Sequence, residues 1–136
     1  MSKAEELKQK RILIVDDVAT YRTALSSFLE KLGFTKIDTA EDGVQAYDML
    51  MDAQGSEPYG LVFSDINMPN MNGIDLVKKI KRSDVLKSTP VVMVSTENES
   101  SMVLDAISLG AANYIIKPFS AEILLQKLKE VGKQIV

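Results

Sequence analysis

Hydrophobic residues occur along the chain in two alternating patterns, short continuous runs and longer periodic segments. The short runs cover residues 12–15, 37–39, 61–63, 91–94 and 114–116. At least three of them are apolar at every position, which is typical of strands that helices cover on both faces of a parallel sheet. The pattern therefore predicts five strands.

The segments that follow these runs have the spacing of amphipathic helices. The clearest has apolar residues three or four positions apart and stops at Gly33, a residue suited to a left-handed C-cap: Tyr21, Leu25, Phe28, Leu29 and Leu32. Four further helices are marked by Val44, Tyr47 and Met51, by Ile74, Val77 and Ile80, by Val103, Ala106 and Ile107, and by Leu124, Leu128, Val131 and Ile135. Strict alternation of strand and helix predicts an α/β fold with a doubly wound sheet.

Length, composition and charge limit the classes of protein to which this chain can belong. With 136 residues, 46% of them hydrophobic and 26% charged, the sequence predicts one globular domain over residues 1–136, with residues 1–10 as an N-terminal extension. No window approaches eighteen uncharged apolar residues, so we expect no membrane insertion and a cytoplasmic protein. A net charge of -3 gives no electrostatic reason to expect a nucleic-acid partner.

Two missing residue types limit the chemistry further. The chain has no cysteine, which excludes disulfides and thiolate catalysis. It also has no histidine, which excludes Ser-His-Asp triads, imidazole bases and most zinc sites. Any covalent handling of phosphate must therefore use an aspartate.

Polar side chains follow four of the predicted strands, at the edge where doubly wound sheets bind their ligands. Three carboxylates, two hydroxyls and one lysine would meet there: Asp16, Asp17, Asp65, Ser95, Thr96 and Lys117. Mg²⁺ prefers oxygen ligands, with one or two carboxylates and phosphate oxygens in its shell. The set is typical of a magnesium and phosphate site.

Clustered carboxylates repel one another, so a bound cation and Lys117 would keep Asp65 ionised and nucleophilic. An ionised aspartate can attack phosphorus in line and form an aspartyl phosphate. Ser95 or Thr96 could then donate a hydrogen bond to the new phosphate. The sequence predicts Mg²⁺-dependent phosphorylation of Asp65.

Four motifs resemble one known family. They cover residues 12–17, residues 65–69 with Asn72 and Gly73 after them, residues 94–97 and residues 114–119. Together they resemble the receiver domains of bacterial two-component response regulators, over nearly the whole chain. Residues 32–34, 40–43 and 67–71 are most similar to the free-standing chemotaxis regulators of that family. The resemblance implies a flavodoxin-like (βα)5 fold with five parallel strands in the order 2-1-3-4-5.

The resemblance also assigns roles to the strand-end residues. Asp65 is the phosphoacceptor, Asp17 and Asp65 bind Mg²⁺ directly, Asp16 helps through water, and Asn67 offers its backbone carbonyl. Lys117 bridges to the phosphate, Ser95 moves toward it, and Tyr114 swings inward as the switch. The peptide between Lys117 and Pro118 is expected to be cis.

Three features of the sequence refine what the resemblance implies about the site. The family often has threonine where Ser95 stands, so the lost methyl group would loosen the coupling to Tyr114. Asn67 and Glu97 match the fast-turnover chemotaxis regulators, and we expect a short-lived phosphate. Residues 51–59 form a longer stretch than usual, for which we expect no catalytic role.

A receiver without an attached output domain would pass its state to a separate protein, so we expect its output to be binding. We expect no enzyme activity on other substrates, only catalysis of its own phosphorylation and dephosphorylation. The resemblance places the partner surface on the fourth helix, fifth strand and fifth helix, at Ser100, Val103, Ile107, Tyr114, Ile116 and Lys127. Expected partners of this monomer are a sensor histidine kinase of the chemotaxis (CheA) type, the flagellar motor switch protein and a phosphatase. The alternative within the family is a phosphorelay intermediate or a regulator of a non-flagellar partner.

Two readings from other classes are less favoured. An aspartyl-phosphate phosphatase of the haloacid dehalogenase type needs two aspartates one residue apart after the first strand, whereas Asp16 and Asp17 are adjacent. A flavodoxin-like cofactor carrier needs phosphate donors in the first loop, and this loop carries acids.

Overall fold

Five parallel strands form the centre of the molecule. The computed structural model describes residues 3–96 and 100–135. The strands are β1 (Arg11–Val15), β2 (Ile37–Ala40), β3 (Tyr59–Asp65), β4 (Val91–Thr96) and β5 (Asn113–Lys117). They lie in the order β2-β1-β3-β4-β5, and all neighbouring pairs are parallel. The predicted fold and strand order are confirmed.

Six α-helices lie within the described residues. They are α1 (Lys3–Lys8), α2 (Ala19–Lys31), α3 (Gly43–Asp52), α4 (Gly73–Arg82), α5 (Ser100–Ser108) and α6 (Ala121–Ile135). None of these helices combines the length and the apolar character that a membrane crossing requires. The five helices that follow strands match the predicted segments, and α1 lies in the stretch predicted as an N-terminal extension.

Alternate strand residues pack into two hydrophobic clusters, one on each face of the sheet. Leu13 and Val62 pack with residues of α3, α4 and α5 on one face. Ile12 and Phe63 pack with residues of α1, α2 and α6 on the other. Because both faces are covered, the strands are apolar at every position rather than at alternate positions.

Short polar side chains begin two helices at the sheet's carboxyl edge, and a glycine ends another helix at the opposite edge. Asp42 caps α3 by accepting a hydrogen bond from the backbone N–H of Gln45, and Asn72 caps α4 through that of Asp75. Gly33, after α2, has a φ of 106°, which confirms the predicted left-handed C-cap. These caps fix where each helix starts relative to the strand before it.

The stretch from 51 to 59 lies at the opposite edge from the predicted site. After α3 it forms a 3-10 turn, Ala53–Gly55, and leads into β3 at Tyr59. The Tyr59 hydroxyl donates to Asp38 at 2.7 Å, and the Arg11 guanidinium lies 4.3 Å from the Tyr59 ring centroid. Burial and the hydrogen bond to Asp38 raise the pKa of Tyr59 above its ordinary value. These contacts of Tyr59 hold the end of this stretch against β1 and β2.

Candidate phosphoacceptor site

The strand register brings the predicted residues to one edge of the sheet. Asp65, the last residue of β3, lies opposite Val94 of β4. Thr96 of β4 lies opposite Lys117, the last residue of β5. Asp16 follows directly after β1, whose last residue is paired with residue 64 of β3. The expected convergence at the carboxyl ends of the strands is present.

Three carboxylates converge at this edge. Asp16, Asp17 and Asp65 each have a carboxylate oxygen within 4.8 Å of those of the other two. Asp16 is 4% exposed and Asp65 is buried, whereas Asp17 is exposed. Hard oxygen donors this close together suit a divalent cation, since without one their charges repel. The residues present therefore fit the predicted metal.

Backbone donors orient the two buried carboxylates. One Asp16 oxygen accepts a hydrogen bond from the backbone N–H of Val18 at 2.9 Å. One Asp65 oxygen accepts from the N–H of Ile66 at 2.8 Å. These bonds hold both carboxylates in defined orientations at the ends of their strands.

Lys117 supplies the positive charge of the site. Its Nζ lies 2.9 Å from Asp16 Oδ2 and 3.5 Å from Asp65 Oδ1, and the residue is 8% exposed. Burial alone would lower the pKa of Lys117, but the hydrogen bond to Asp16 and the Asp65 charge outweigh it and raise that pKa. The ammonium is therefore charged beside the proposed nucleophile. The Lys117–Pro118 peptide is cis, as predicted.

Ser95 carries a buried hydroxyl that has no hydrogen-bond partner among the described residues. It is fully buried near the end of β4, and its Oγ makes no hydrogen bond to any atom in the described part of the chain. A buried hydroxyl that lacks a partner costs stability. An incoming oxyanion beside β4 would give this hydroxyl an acceptor.

The loop after Asp65 is held against the start of α3. Asn70 donates to Asp42 at 2.7 Å, and the N–H of Gly43 donates to the carbonyl of Met71 at 3.0 Å. Hydrogen bonds from the Gln45 backbone and from Asn70 lower the pKa of Asp42 below its ordinary value. Asn67, whose backbone carbonyl is predicted to bind Mg²⁺, lies in this loop and is exposed. Its role stays a prediction.

Glycine is required where α4 begins. The N–H of Gly73 donates to the carbonyl of Ile66 at 2.8 Å, which closes the loop. A Cβ at this position would overlap the backbone carbonyl oxygen of Asp65. The close approach of α4 to Asp65 therefore depends on the absence of a side chain.

Two residues of α2 join the site although the sequence analysis did not single them out. The Tyr21 ring lies over Lys117, whose Nζ is 4.0 Å from the ring centroid. Arg22 donates to the backbone carbonyl of Asp16 at 2.7 Å. Their position four and five residues after Asp17, on the first turn of the following helix, was the available signal.

The predicted partner surface is only partly exposed. Tyr114 and Ile107 are exposed, and Ile116 and Lys127 are half-buried. The prediction that Val103 belongs to the partner surface is wrong, because this residue is buried in the core against the sheet. Its neighbour Leu104, at 70% exposure, is the apolar residue that α5 presents instead. Glu97 and the side chain of Ser100 lie outside the described part of the chain.

Tyr114 occupies the outward position. The residue is 39% exposed, and Lys127 Nζ lies 4.3 Å from its ring centroid. Lys127 also lies 3.8 Å from Glu130, which accepts a 2.6 Å hydrogen bond from the amide of Asn113. A small network of β5 and α6 residues thus surrounds the predicted switch residue.

Known proteins are similar to this chain in both sequence and structure. The response regulator receiver domain family matches residues 12–129. The chain is 39% identical to chemotaxis protein CheY1 of Helicobacter pylori, over 89% of this chain and 95% of that protein. It is 38% identical to a Campylobacter jejuni CheY homologue over 89% of this chain and 91% of the homologue. The structure of Vibrio cholerae chemotaxis protein CheY4 matches with a TM-score of 0.77 and 33% identity, over 90% of this chain and 98% of CheY4. With its family match, its fold and its cluster of acids and lysine, the chain belongs to the response regulator receiver domains.

Proposed function

We propose that this receiver domain is a chemotaxis response regulator that accepts a phosphoryl group on Asp65 in a Mg²⁺-dependent reaction. The observation that carries the proposal is the meeting of Asp16, Asp17 and Asp65 with the Lys117 ammonium at the carboxyl edge of the sheet. The chemotaxis role rests on the similarity to proteins named as chemotaxis regulators. The phosphoryl donor is a sensor histidine kinase of the chemotaxis type.

In the transfer, a carboxylate oxygen of Asp65 forms a bond to phosphorus. The bond between phosphorus and the imidazole nitrogen of a phosphohistidine breaks, and its electron pair stays on that nitrogen. Lys117, 3.5 Å from Asp65, attracts the phosphoryl oxygens. Ser95, whose buried hydroxyl makes no hydrogen bond to the described residues, donates one to the product.

Asp16, Asp17 and Asp65 would hold the magnesium ion, together with the backbone carbonyl of Asn67. The bound ion supplies positive charge that neutralises the phosphoryl oxygens during transfer. The backbone N–H of Ile66 donates to Asp65 Oδ1 at 2.8 Å and so holds the orientation of the nucleophilic carboxylate. Loss of the phosphate by hydrolysis ends the signal, and the matches at Asn67 and Glu97 support a short lifetime.

The output is a change of surface. Ser95 moves toward the phosphate, and Tyr114 leaves its exposed position to fill the space that the hydroxyl vacates. Leu104 and Ile107, exposed apolar residues of α5, then form a surface suited to a protein partner, next to the place that Tyr114 has left. The proposed partner is the flagellar motor switch protein, and a phosphatase is the second.

The chemistry is tested by incubating the protein with acetyl phosphate and Mg²⁺ and measuring intact mass. Wild type should gain one phosphoryl group, and Asp65→Asn should gain none. Asp48→Asn, at an exposed position of α3, serves as the matched control and should be phosphorylated like wild type. A wild-type protein that gains no phosphate, and that also fails to bind beryllofluoride with Mg²⁺, would contradict the proposal.

The partner is tested separately with the beryllofluoride complex. Binding to purified motor switch protein should strengthen when beryllofluoride is added, and the gain should be absent in Asp65→Asn. Phosphoryl transfer from Asp65 to a histidine phosphotransfer protein, without motor binding, would instead support a phosphorelay intermediate.

A further inference from the structure

The Lys117 ammonium has two kinds of neighbour. Asp16 and Asp65 lie on the side that faces the metal cluster, at 2.9 and 3.5 Å from Nζ. The Tyr21 ring provides another contact, with its centroid 4.0 Å from Nζ. A tyrosine face attracts a cation, and the attraction grows when the cation is removed from water.

Tyr21 is much more exposed than the lysine that it contacts. It is 44% exposed, whereas the lysine that it covers is 8% exposed. Tyr21 therefore stands between solvent and the charge that the transferring phosphoryl group must meet. A polar or small residue at this position would leave the ammonium open to water.

A cavity of about 30 Å³ lies beside Lys117, and its other lining is largely apolar: Ile14, Leu25, Phe63, Val94 and Phe119. These apolar side chains offer the ammonium no charge or hydrogen-bond acceptor. The contacts of Nζ with Asp16, Asp65 and the Tyr21 ring therefore fix its place beside Asp65.

We propose that Tyr21 is a positioning residue for phosphoryl transfer, whose aromatic face holds the Lys117 ammonium beside Asp65 and shields it from water. The inference rests on the proposed function and adds a residue to it. A shielded ammonium attracts phosphoryl oxygens more strongly than a hydrated one, because water screens charge. Tyr21 would therefore act on the rate of transfer through Lys117 and without touching the donor.

If Tyr21 acted only as an apolar cover over Lys117, leucine at this position would serve as well as phenylalanine. Tyr21→Leu keeps a hydrophobic side chain over the lysine but removes the aromatic face. Tyr21→Phe keeps the face and removes the hydroxyl. If the face matters, phenylalanine should preserve the rate, and leucine should lower it roughly 3-fold to 30-fold, the factor that corresponds to one cation–π contact.

The experiment measures phosphorylation of the full chain by acetyl phosphate with Mg²⁺, quenched at set times and followed by intact mass. In this reaction the Asp65 oxygen bonds to phosphorus, the bond from phosphorus to the bridging oxygen breaks, and acetate leaves. Beryllofluoride affinity, measured by calorimetry in the same buffer, should weaken in Tyr21→Leu by a similar factor. Tyr21→Phe should stay within about twofold of wild type in both measurements.

A matched control comes from a second tyrosine and lysine pair far from the site. Lys79 Nζ lies 4.3 Å from the centroid of the Tyr47 ring, between α3 and α4. Tyr47→Leu removes the same kind of contact and should leave phosphorylation and beryllofluoride affinity at wild-type values. Urea midpoints of all variants check that each is folded.

The outcomes separate the inference from the proposed function. If wild type is phosphorylated and Tyr21→Leu keeps its rate and its affinity within about twofold, the inference is wrong while the proposed function stands. The inference also fails if phenylalanine slows the reaction as much as leucine does, because the hydroxyl would then carry the effect. If wild type neither gains phosphate nor binds beryllofluoride, the proposed function fails, and the inference that rests on it fails with it.

Discussion

Asp17 is the exposed carboxylate of the metal cluster, and its replacement by asparagine should have opposite effects with and without Mg²⁺. In metal-free buffer the variant should be more stable than wild type, because one of three mutually repelling charges is gone. The variant should gain little stability from added Mg²⁺, because one proposed ligand of the ion has lost its charge. The same single change thus tests both the cluster and its proposed ion.

The expected size follows from the separation of the oxygens. At 4.8 Å, the upper limit of the separations in the cluster, two unit charges repel by about 0.9 kcal/mol in water and by about 3.5 kcal/mol at an effective dielectric constant of about 20. Asp17 is exposed, so solvent screens much of this repulsion, and Lys117 already neutralises part of the charge on Asp16 and Asp65. A gain of about 1 kcal/mol in the free energy of unfolding is therefore expected for Asp17→Asn.

Urea unfolding, with EDTA and with excess MgCl₂, measures both effects. Wild type should be stabilised by the ion, by about 2.7 kcal/mol when its concentration is a hundred times the dissociation constant. Asp17→Asn should respond much less at the same concentration. Asp48→Asn, which removes an exposed charge from α3, should follow wild type in both buffers.

Two results would refute this reasoning. The first is a variant that is less stable than wild type in EDTA, which would mean that Asp17 stabilises the fold without a metal. The second is an equal Mg²⁺ response in Asp17→Asn and wild type, which would place the ion elsewhere.

Three further changes test other parts of the molecule. The stability that Lys117 contributes is complete below its unfolded pKa of about 10.5 and is lost as pH rises through its raised folded pKa; urea midpoints of wild type should therefore approach those of Lys117→Met only above that pH. Gly73→Ala should cost about 1–3 kcal/mol of unfolding free energy and slow acetyl-phosphate labelling, because its Cβ overlaps the Asp65 carbonyl; unchanged labelling would contradict this. Tyr59→Phe should cost about 1.5 kcal/mol through its lost bond to Asp38 yet leave labelling unchanged, since it lies at the opposite edge.

The strands were predictable because burial on both faces leaves a continuous apolar run. Their ends were less so, since β3 begins at Tyr59, two residues before the run, where Tyr59 pairs with Arg11 across the sheet. The existence of α3 was also predictable, but its inward face was not. Val44 and Met51 are exposed, whereas Ala46 and Leu50 are buried, because the small Ala46 lets the helix lie close to the sheet.

The strand-end residues of the site were predictable because parallel strands place their carboxyl ends at one edge. Tyr21 and Arg22 were not, since their contacts depend on how α2 is rotated against the sheet. The burial of Val103 depends in the same way on the rotation of α5. Spacing along a helix identifies an apolar face, and only packing decides which of its residues remain accessible.

The packing of α1 decides where this protein can be truncated without exposing its core. The family match starts at residue 12, yet Leu7 of α1 is buried in the same cluster as Leu128 and Val131 of α6. A fragment trimmed to the family bounds would expose the apolar side of α6 and invite aggregation, so fusion partners and truncations should leave α1 in place. Because Lys127 on the same helix contacts Tyr114, loosening α6 would also disturb the proposed output surface. The folding unit therefore begins upstream of the segment that matches the family, and α1 supports the helix that carries part of the proposed signal.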